Sequence, residues 1–146
     1  MVLVDKRRRN MNGSAEADSL MRRARIKVQD MKTRVERGDI DHMIPDAYNV
    51  MFMAAKAALM KRGFEVASHR TVTSTYRREF IDKRLISPEF EGYLSKIQKY
   101  WEEEGTINAQ TIDQGRAERI VDATHKLVEA LADTMKVLPV EPYRIK

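Results

Sequence analysis

The fold of this chain is decided by residues 46–86, which read DAYNVMFMAAKAALMKRGFEVASHRTVTSTYRREFIDKRLI. Alanines mixed with large apolar residues surround a helix almost completely from Ala47 to Met60, which is typical of a helix buried on several sides. Gly63 then favours the end of that helix, and Ser68 offers the hydroxyl that favours the start of the next one. The pattern predicts a central helix with small side chains, which allow its neighbours to approach closely.

Helical patterns also occupy the sequence on both sides of this stretch. The predicted helices are Ser14–Arg37, Asp46–Arg62 with Asp41 as its N-cap, Ser68 to about Lys83, one starting at Ser87-Pro88, and one from the cap Asp113 to about Lys136. No segment shows the alternation of a β-strand. We therefore predict an all-α, up-and-down helical bundle of about five helices over residues 14–136, with a flexible basic arm at 1–13 and an extended tail at 137–146.

Composition limits the environment and the partners of the chain. Its 146 residues fit one domain, and its 27 Lys and Arg against 22 Asp and Glu give a net charge of +5. This balance permits an acidic partner such as RNA or a nucleotide, and it equally fits an ordinary solvated surface. No cysteine is present, no apolar run reaches the ~18 residues of a membrane span, and no apolar segment follows Lys6–Arg9. A cytoplasmic protein that does not enter a membrane is expected.

Several short motifs follow one another in a fixed order within residues 47–81. They are Ala47-Tyr48, Met51-Phe52, Ala54-Ala55-Lys56-Ala57, Leu59, Gly63-Phe64-Glu65, Ser68-His69-Arg70-Thr71-Val72, Tyr76 and Glu79-Phe80-Ile81. In this order and spacing the stretch resembles the HEPN family (higher eukaryotes and prokaryotes nucleotide-binding domain), in its small stand-alone prokaryotic branch. The resemblance implies a four- to five-helix bundle, usually a homodimer and often encoded beside a small nucleotidyltransferase. It also implies links to RNA cleavage or to toxin–antitoxin and defence pairs.

The chain departs from the ribonuclease members of that family. Those members carry an arginine, then about four to six residues, then a histidine near the start of the last long helix, and the pair cleaves RNA across a dimer without a metal. The corresponding stretch here, 99–105, reads KYWEEEG and contains neither residue type, while its three glutamates repel phosphate. The departure favours a non-catalytic module that binds nucleotides or RNA over an enzyme.

Two substitute pairs keep a metal-independent endoribonuclease open as the alternative. Arg119 and His125 have the bare spacing, but six positions on one helix separate their side chains by about 240°. His69 and Arg70 are neighbours at a helix start and would have to act across a dimer. The structural interpretation of Arg119 and His125 is two solvated helix residues.

A ligand site is predicted where the helix after Gly63 begins, because backbone N–H groups at a helix N-terminus attract anions. The predicted binding residues are Ser68, His69, Arg70, Tyr48, Lys56 and Arg77. The structural alternative for His69 is a hydrogen bond to Tyr48 or a nearby loop. No cofactor and no metal site are predicted; His42 with its neighbouring aspartates is interpreted as a capping cluster.

Overall fold

The computed structural model describes the backbone of residues 2–102 and 112–137, and the side chains of residues 13–102 and 112–136. Within these residues it has five α-helices and no strand: α1 (Val2–Glu36), α2 (Met43–Lys61), α3 (His69–Tyr76), α4 (Tyr93–Tyr100) and α5 (Gln114–Val137). The predicted all-α bundle is thus confirmed. None of the helices in the described part of the chain is long and apolar enough to cross a membrane.

Helix α2 is the centre of the bundle, as predicted. It packs against α1, α3, α4 and α5, and α1 also packs against α5. Five alanines of α2 have an exposed fraction of 1% or less: Ala47, Ala54, Ala55, Ala57 and Ala58. Because these side chains are small, four helices can approach α2, while Leu59, Met51 and Phe52 supply the larger apolar surface between them.

The start of α2 differs from the prediction that Asp41 is its N-cap. The capping position is His42, whose backbone is left-handed at φ 65° and whose side chain makes no capping hydrogen bond. A carboxylate is instead supplied within the first turn by Asp46, which accepts a hydrogen bond of 2.7 Å from Arg34 on α1. A first-turn carboxylate suits the positive end of the helix dipole, and here it also joins two helices.

The helix after Gly63 begins as predicted but does not stay α-helical to Lys83. The Ser68 hydroxyl accepts a hydrogen bond of 3.1 Å from the backbone N–H of Thr71, which confirms Ser68 as the N-cap. After Tyr76 the chain widens into a π-helical turn at Arg77–Asp82. The three consecutive residues Glu79, Phe80 and Ile81 are all buried in this turn, and a wider turn accommodates such a run where an α-helix would expose part of it.

The last two helices follow their predicted start signals to different degrees. Ser87 caps only a short 3₁₀ turn, Pro88–Phe90, and α4 starts after Gly92, a residue that weakens helices. The predicted single helix from Ser87-Pro88 is therefore wrong. The cap of α5 is confirmed, because the N–H of Arg116 donates to the Asp113 carboxylate at 2.7 Å.

The two ends of the chain were predicted to lie outside the bundle. Helix α1 begins at Val2, so the backbone of residues 2–13, the predicted arm, is helical in the structure. The side chains of residues 1–12 and the predicted tail from residue 138 lie outside the described residues. The division of the chain into an arm, a bundle and a tail stays a prediction.

Candidate functional site

An aromatic cluster joins the start of α3 to α2. The hydroxyl of Tyr48 hydrogen-bonds Nδ1 of His69, and the Phe52 ring lies 4.5 Å from the His69 ring between centroids. On its other side Tyr48 stacks on Trp101, at 5.6 Å and an interplanar angle of 23°. Two rings of α2, Tyr48 and Phe52, therefore hold the His69 ring in one orientation, and Trp101 supports Tyr48 from behind, although His69 as a whole is exposed.

The Tyr48 phenol determines which nitrogen of His69 is available to a ligand. Burial raises the pKa of Tyr48, and the carboxylate of Glu102 raises it further, so the phenol keeps its proton at neutral pH. In the tautomer in which Tyr48 donates to Nδ1, the His69 ring carries its proton on Nε2. That N–H is directed away from Tyr48 and can donate to an anion.

An open pocket of about 400 Å³ lies beside this histidine, between α1, α2 and the start of α3. We call it the His69 pocket. It is lined by Leu20, Lys27, Asn49, Phe52, Met53, Lys56, Val66, Ala67, Ser68, His69 and Val72. Six of its eleven lining residues are apolar, and two exposed lysines, one from α1 and one from α2, bring positive charge to it. A mostly apolar pocket with a few convergent polar groups is the usual form of a small-molecule site.

Backbone donors at the start of α3 lie next to this pocket. The Ser68 hydroxyl accepts a hydrogen bond from the backbone N–H of Thr71, and the Ser68 carbonyl accepts one from the N–H of Val72. The N–H groups of His69 and Arg70 are the two at this end that the cap does not use. Together with the helix dipole they favour a negatively charged group.

The structure brings together only part of the predicted binding set. Ser68, His69 and Lys56 line the pocket, and Tyr48 lies directly behind His69. Arg70 is exposed at the helix start and does not line the pocket. Arg77 points towards α4, where it donates a hydrogen bond of 3.2 Å to Ser95, so it lies apart from the other five.

Sequence reasoning missed three residues of the site. Lys27 falls in a run of cations on α1 that we interpreted as a solvated face, and nothing in the local pattern marks it as different. Asn49 and Trp101 were missed for the same reason, since each depends on which helices become neighbours. Only the apolar stripe that includes Trp101 indicated that this ring turns towards the bundle.

The alternative pair Arg119 and His125 does not form a second site of the same kind. Both residues lie on α5, about 9 Å apart along the helix axis. Arg119 lines a separate groove between α4 and α5, and His125 does not line it. Among the residues whose side chains are described, no cluster of three His, Asp or Glu side chains has the arrangement of a metal site.

The architecture and this pocket define a class: an all-α bundle around one alanine-rich helix, with an anion-attracting pocket at the start of the next helix. The sequence profile of the HEPN domain matches residues 17–134. The chain therefore belongs to the HEPN family, and the match covers the bundle from α1 to the last turn of α5. No curated protein sequence matches the chain. Membership of the family indicates a function related to nucleotides or RNA, by binding or by RNA cleavage.

Proposed function

We propose that this chain is a non-catalytic HEPN module that binds a nucleotide, or the end of an RNA strand, in the His69 pocket. The observation that carries the proposal is a pocket in which a histidine and two lysines lie beside apolar side chains and a helix N-terminus. His69 has its Nδ1 engaged by Tyr48, which leaves Nε2 for a ligand, the start of α3 offers two backbone N–H groups, and Lys27 and Lys56 offer positive charge. These groups match the oxygen atoms of a phosphate.

The apolar side of the pocket supplies what a phosphate site alone lacks. Phe52, Met53 and Val66 form a surface against which a nucleobase and its sugar can pack. The pocket volume of about 400 Å³ falls in the range of pockets that hold small molecules. A phosphate held by cations together with a base held by apolar contacts makes a nucleotide the ligand that best fits the site.

The same geometry supports binding more than catalysis. Metal-free cleavage of RNA needs one group to take the 2′-OH proton and others to stabilise the charge that builds on the phosphate. One histidine lines the described pocket, its Nδ1 is engaged by Tyr48, and no arginine lines the pocket beside it. Glu102, close enough to raise the pKa of Tyr48, adds negative charge where a cleavage site needs positive charge.

The partners in this proposal follow from the family. We include a homodimer and association with a nucleotidyltransferase-type protein in a toxin–antitoxin or defence pair. Light scattering during size-exclusion chromatography tests the dimer, and co-expression with the product of the neighbouring gene tests the pair. A monomer at all concentrations, or a chain that purifies alone from that co-expression, contradicts the corresponding part.

Titration calorimetry with AMP, ATP and a short single-stranded RNA at low salt tests the binding proposal. We expect His69→Ala and Lys56→Ala each to weaken binding by roughly tenfold, in keeping with loss of a charge-assisted or phosphate contact. Arg22→Ala, an exposed cation of α1 that does not line the pocket, is the matched control and should bind as the unmodified chain does. Absence of binding at low salt contradicts the proposal.

A cleavage assay separates binding from catalysis. The unmodified chain, His69→Ala and His125→Ala are incubated with structured RNA in the presence of EDTA. We expect intact RNA in all three. Cleavage that disappears in either variant would establish the alternative, an endoribonuclease that uses His69 with Arg70 or Arg119 with His125.

A further inference from the structure

Helices α4 and α5 leave a gap on the surface of the bundle. Each of them packs on α2, but they make only marginal contact with each other. The space between them is an open groove of about 460 Å³, which we call the α4–α5 groove. It is lined by Met51, Glu89, Gly92, Tyr93, Lys96, Ile97, Tyr100, Arg116, Arg119, Ile120 and Ala123.

The bottom and the edges of the groove differ in chemistry. Met51 of α2, Ile97 of α4 and Ile120 of α5 form an aliphatic bottom. The edges carry Lys96 from α4 together with Arg116 and Arg119 from α5, against the single carboxylate of Glu89 among the lining residues. Among the described residues that line the groove, three cations and one carboxylate therefore border an apolar strip.

The basic edge continues along α5 beyond the groove itself. Arg116, Arg119, Ala123 and Lys126 follow one another at steps of three, four and three, which places them on one face of the helix. Lys126 is bound to Asp122 at 3.1 Å, and its ammonium also interacts electrostatically with Tyr93 and Glu89. This face of α5 thus carries three cations over about three turns, a length of roughly 15 Å, and the last of them, Lys126, is already paired.

The aromatic rings of the groove are already engaged. The guanidinium of Arg116 lies 4.6 Å from the centre of the Tyr100 ring, and Tyr93 meets Phe90 edge to face at 5.1 Å. Single-stranded nucleic acids bind largely through bases that stack on open aromatic faces. An aliphatic bottom with occupied tyrosines suits leucine-like side chains better than bases.

We propose that the α4–α5 groove binds an acidic amphipathic helix of a partner protein. A gap between two helices that share one supporting helix is the geometry into which a third helix packs, with its apolar stripe inward. Glutamates and aspartates beside that stripe would meet Lys96 and Arg119 at the edges. A second copy of this chain is a poor occupant through the same face, because it would bring the same cations against them.

This surface is separate from the His69 pocket. Met51 lines the groove and Met53 lines the pocket, and two positions on a helix are about 200° apart. The two sites therefore lie on opposite sides of α2. A chain that fails to bind nucleotides can still bind a helical partner, so each proposal can fail alone.

Fluorescence anisotropy with a designed peptide tests the proposal. The probe is an 18-residue labelled peptide with leucine at helical steps of three and four and glutamate at the remaining edge positions. The comparison probes are the same composition scrambled, the same peptide with lysine for glutamate, and a labelled U₁₂ RNA. The double variant Lys96→Glu with Arg119→Glu should weaken the acidic peptide by roughly tenfold or more, because attraction becomes repulsion.

The charge swap gives the sharpest outcome. The lysine peptide, which the unmodified chain should reject, is expected to bind the double variant. The control variant Arg22→Glu with Arg37→Glu makes the same charge change at exposed positions outside the groove and should bind the acidic peptide normally. Thermal unfolding confirms that both variants remain folded.

Three binding results would overturn the proposal. They are no saturable binding of the acidic peptide to the unmodified chain, equal loss in the groove variant and in the control, and binding of U₁₂ RNA that the groove variant abolishes while the peptide does not compete. Conversion of a dimer to a monomer by the groove variant also overturns it, since the occupant would then be a second copy.

Discussion

The two sides of α2 carry two different kinds of surface. On the side of Met53 and Lys56, the His69 pocket has a histidine fixed by a hydrogen bond and by rings, and it lies next to two backbone donors whose direction α3 sets. On the side of Met51, the α4–α5 groove has an aliphatic bottom and cations on long side chains. One buried helix supports both.

The two surfaces differ in how rigidly their binding groups are held before a ligand binds. Donors held by the backbone and by packed rings lose little conformational entropy on binding, which favours a small ligand with few contacts. Lysine and arginine side chains on helix surfaces lose more, so the groove needs a partner with many contacts. The two surfaces thus predict different ligands and different responses to mutation.

The largest effect is expected where the two surfaces share their support. Ala54 is fully buried in α2, and Ala54→Leu inserts a larger side chain into a packed centre at a cost of about 3 kcal/mol. Both the nucleotide and the acidic peptide should then bind less well, because the helices packed on α2 must shift. Chemical denaturation measures the stability, and Ala15→Leu, exposed on α1, should change it by less than about 0.5 kcal/mol. Loss of only one of the two activities would show that α2 does not couple the surfaces.

A smaller effect, limited to one of the two binding surfaces, is expected when Glu79 is replaced. This buried carboxylate accepts from Lys83 at 2.7 Å and Arg78 at 2.9 Å, and it lies 3.5 Å from Arg62 at the end of α2. Glu79→Gln should lower the free energy of unfolding by about 2 kcal/mol, because the cations lose their shared anion. The variant should weaken nucleotide binding in the His69 pocket, because α3, which forms one wall of that pocket, continues into this turn. Peptide binding in the α4–α5 groove should stay unchanged. Glu65→Gln, an exposed loop position, is the control.

The contribution of Glu79 should also depend on pH. Burial by itself would raise the pKa of Glu79, but the hydrogen bonds from Lys83 and Arg78 and their charges lower it below 4.5. The unfolded chain therefore takes up the proton first as the pH falls. The stability difference between the unmodified chain and Glu79→Gln should be complete above pH 4.5 and should shrink as the pH falls through the lower, folded pKa. Melting curves at several pH values measure it, and a constant difference contradicts the assignment.

Salt dependence separates the two surfaces with modest changes. Lys56→Ala should reduce the slope of log K against log salt for a short RNA by roughly 0.7 for the lost phosphate contact, without affecting the acidic peptide. Lys96→Ala should leave that RNA slope unchanged and weaken binding of the acidic peptide. Anisotropy titrations between low and physiological salt measure both slopes. If both lysine variants changed both the RNA salt slope and the peptide affinity, the two surfaces would not be separate binding sites.

The smallest effect is expected for Arg77. The sequence groups it with the ligand site, but the structure directs it to Ser95. Arg77→Ala should change nucleotide affinity by less than about twofold, because a residue without ligand contact at a solvated position contributes little. A calorimetric loss comparable to that of Lys56→Ala would show that Arg77 turns from Ser95 to the ligand.

Most of the bundle could be predicted because its helices have local causes. The apolar stripe of α5, including Ile120, Leu127 and Leu131, is buried as its spacing predicts, and Ser68 and Asp113 act as caps through their own short side chains. The local signals were wrong at Asp41 and along Ser87-Pro88, where the path of neighbouring elements prevailed. The π-helical turn had no local signal, since it depends on the burial of Glu79 among cations that include Arg62 of α2.

By itself, the sequence determined that the chain is a helical bundle, that its alanine-rich helix is central, and that His69 stands at a helix start. These properties depend on spacing and capping within a few residues, which the order of side chains contains directly. Only the tertiary structure decided that Lys27 joins His69, that Arg77 does not, and that α4 and α5 leave a groove. Such neighbours come from distant parts of the chain, and their meeting depends on how helices pack against α2.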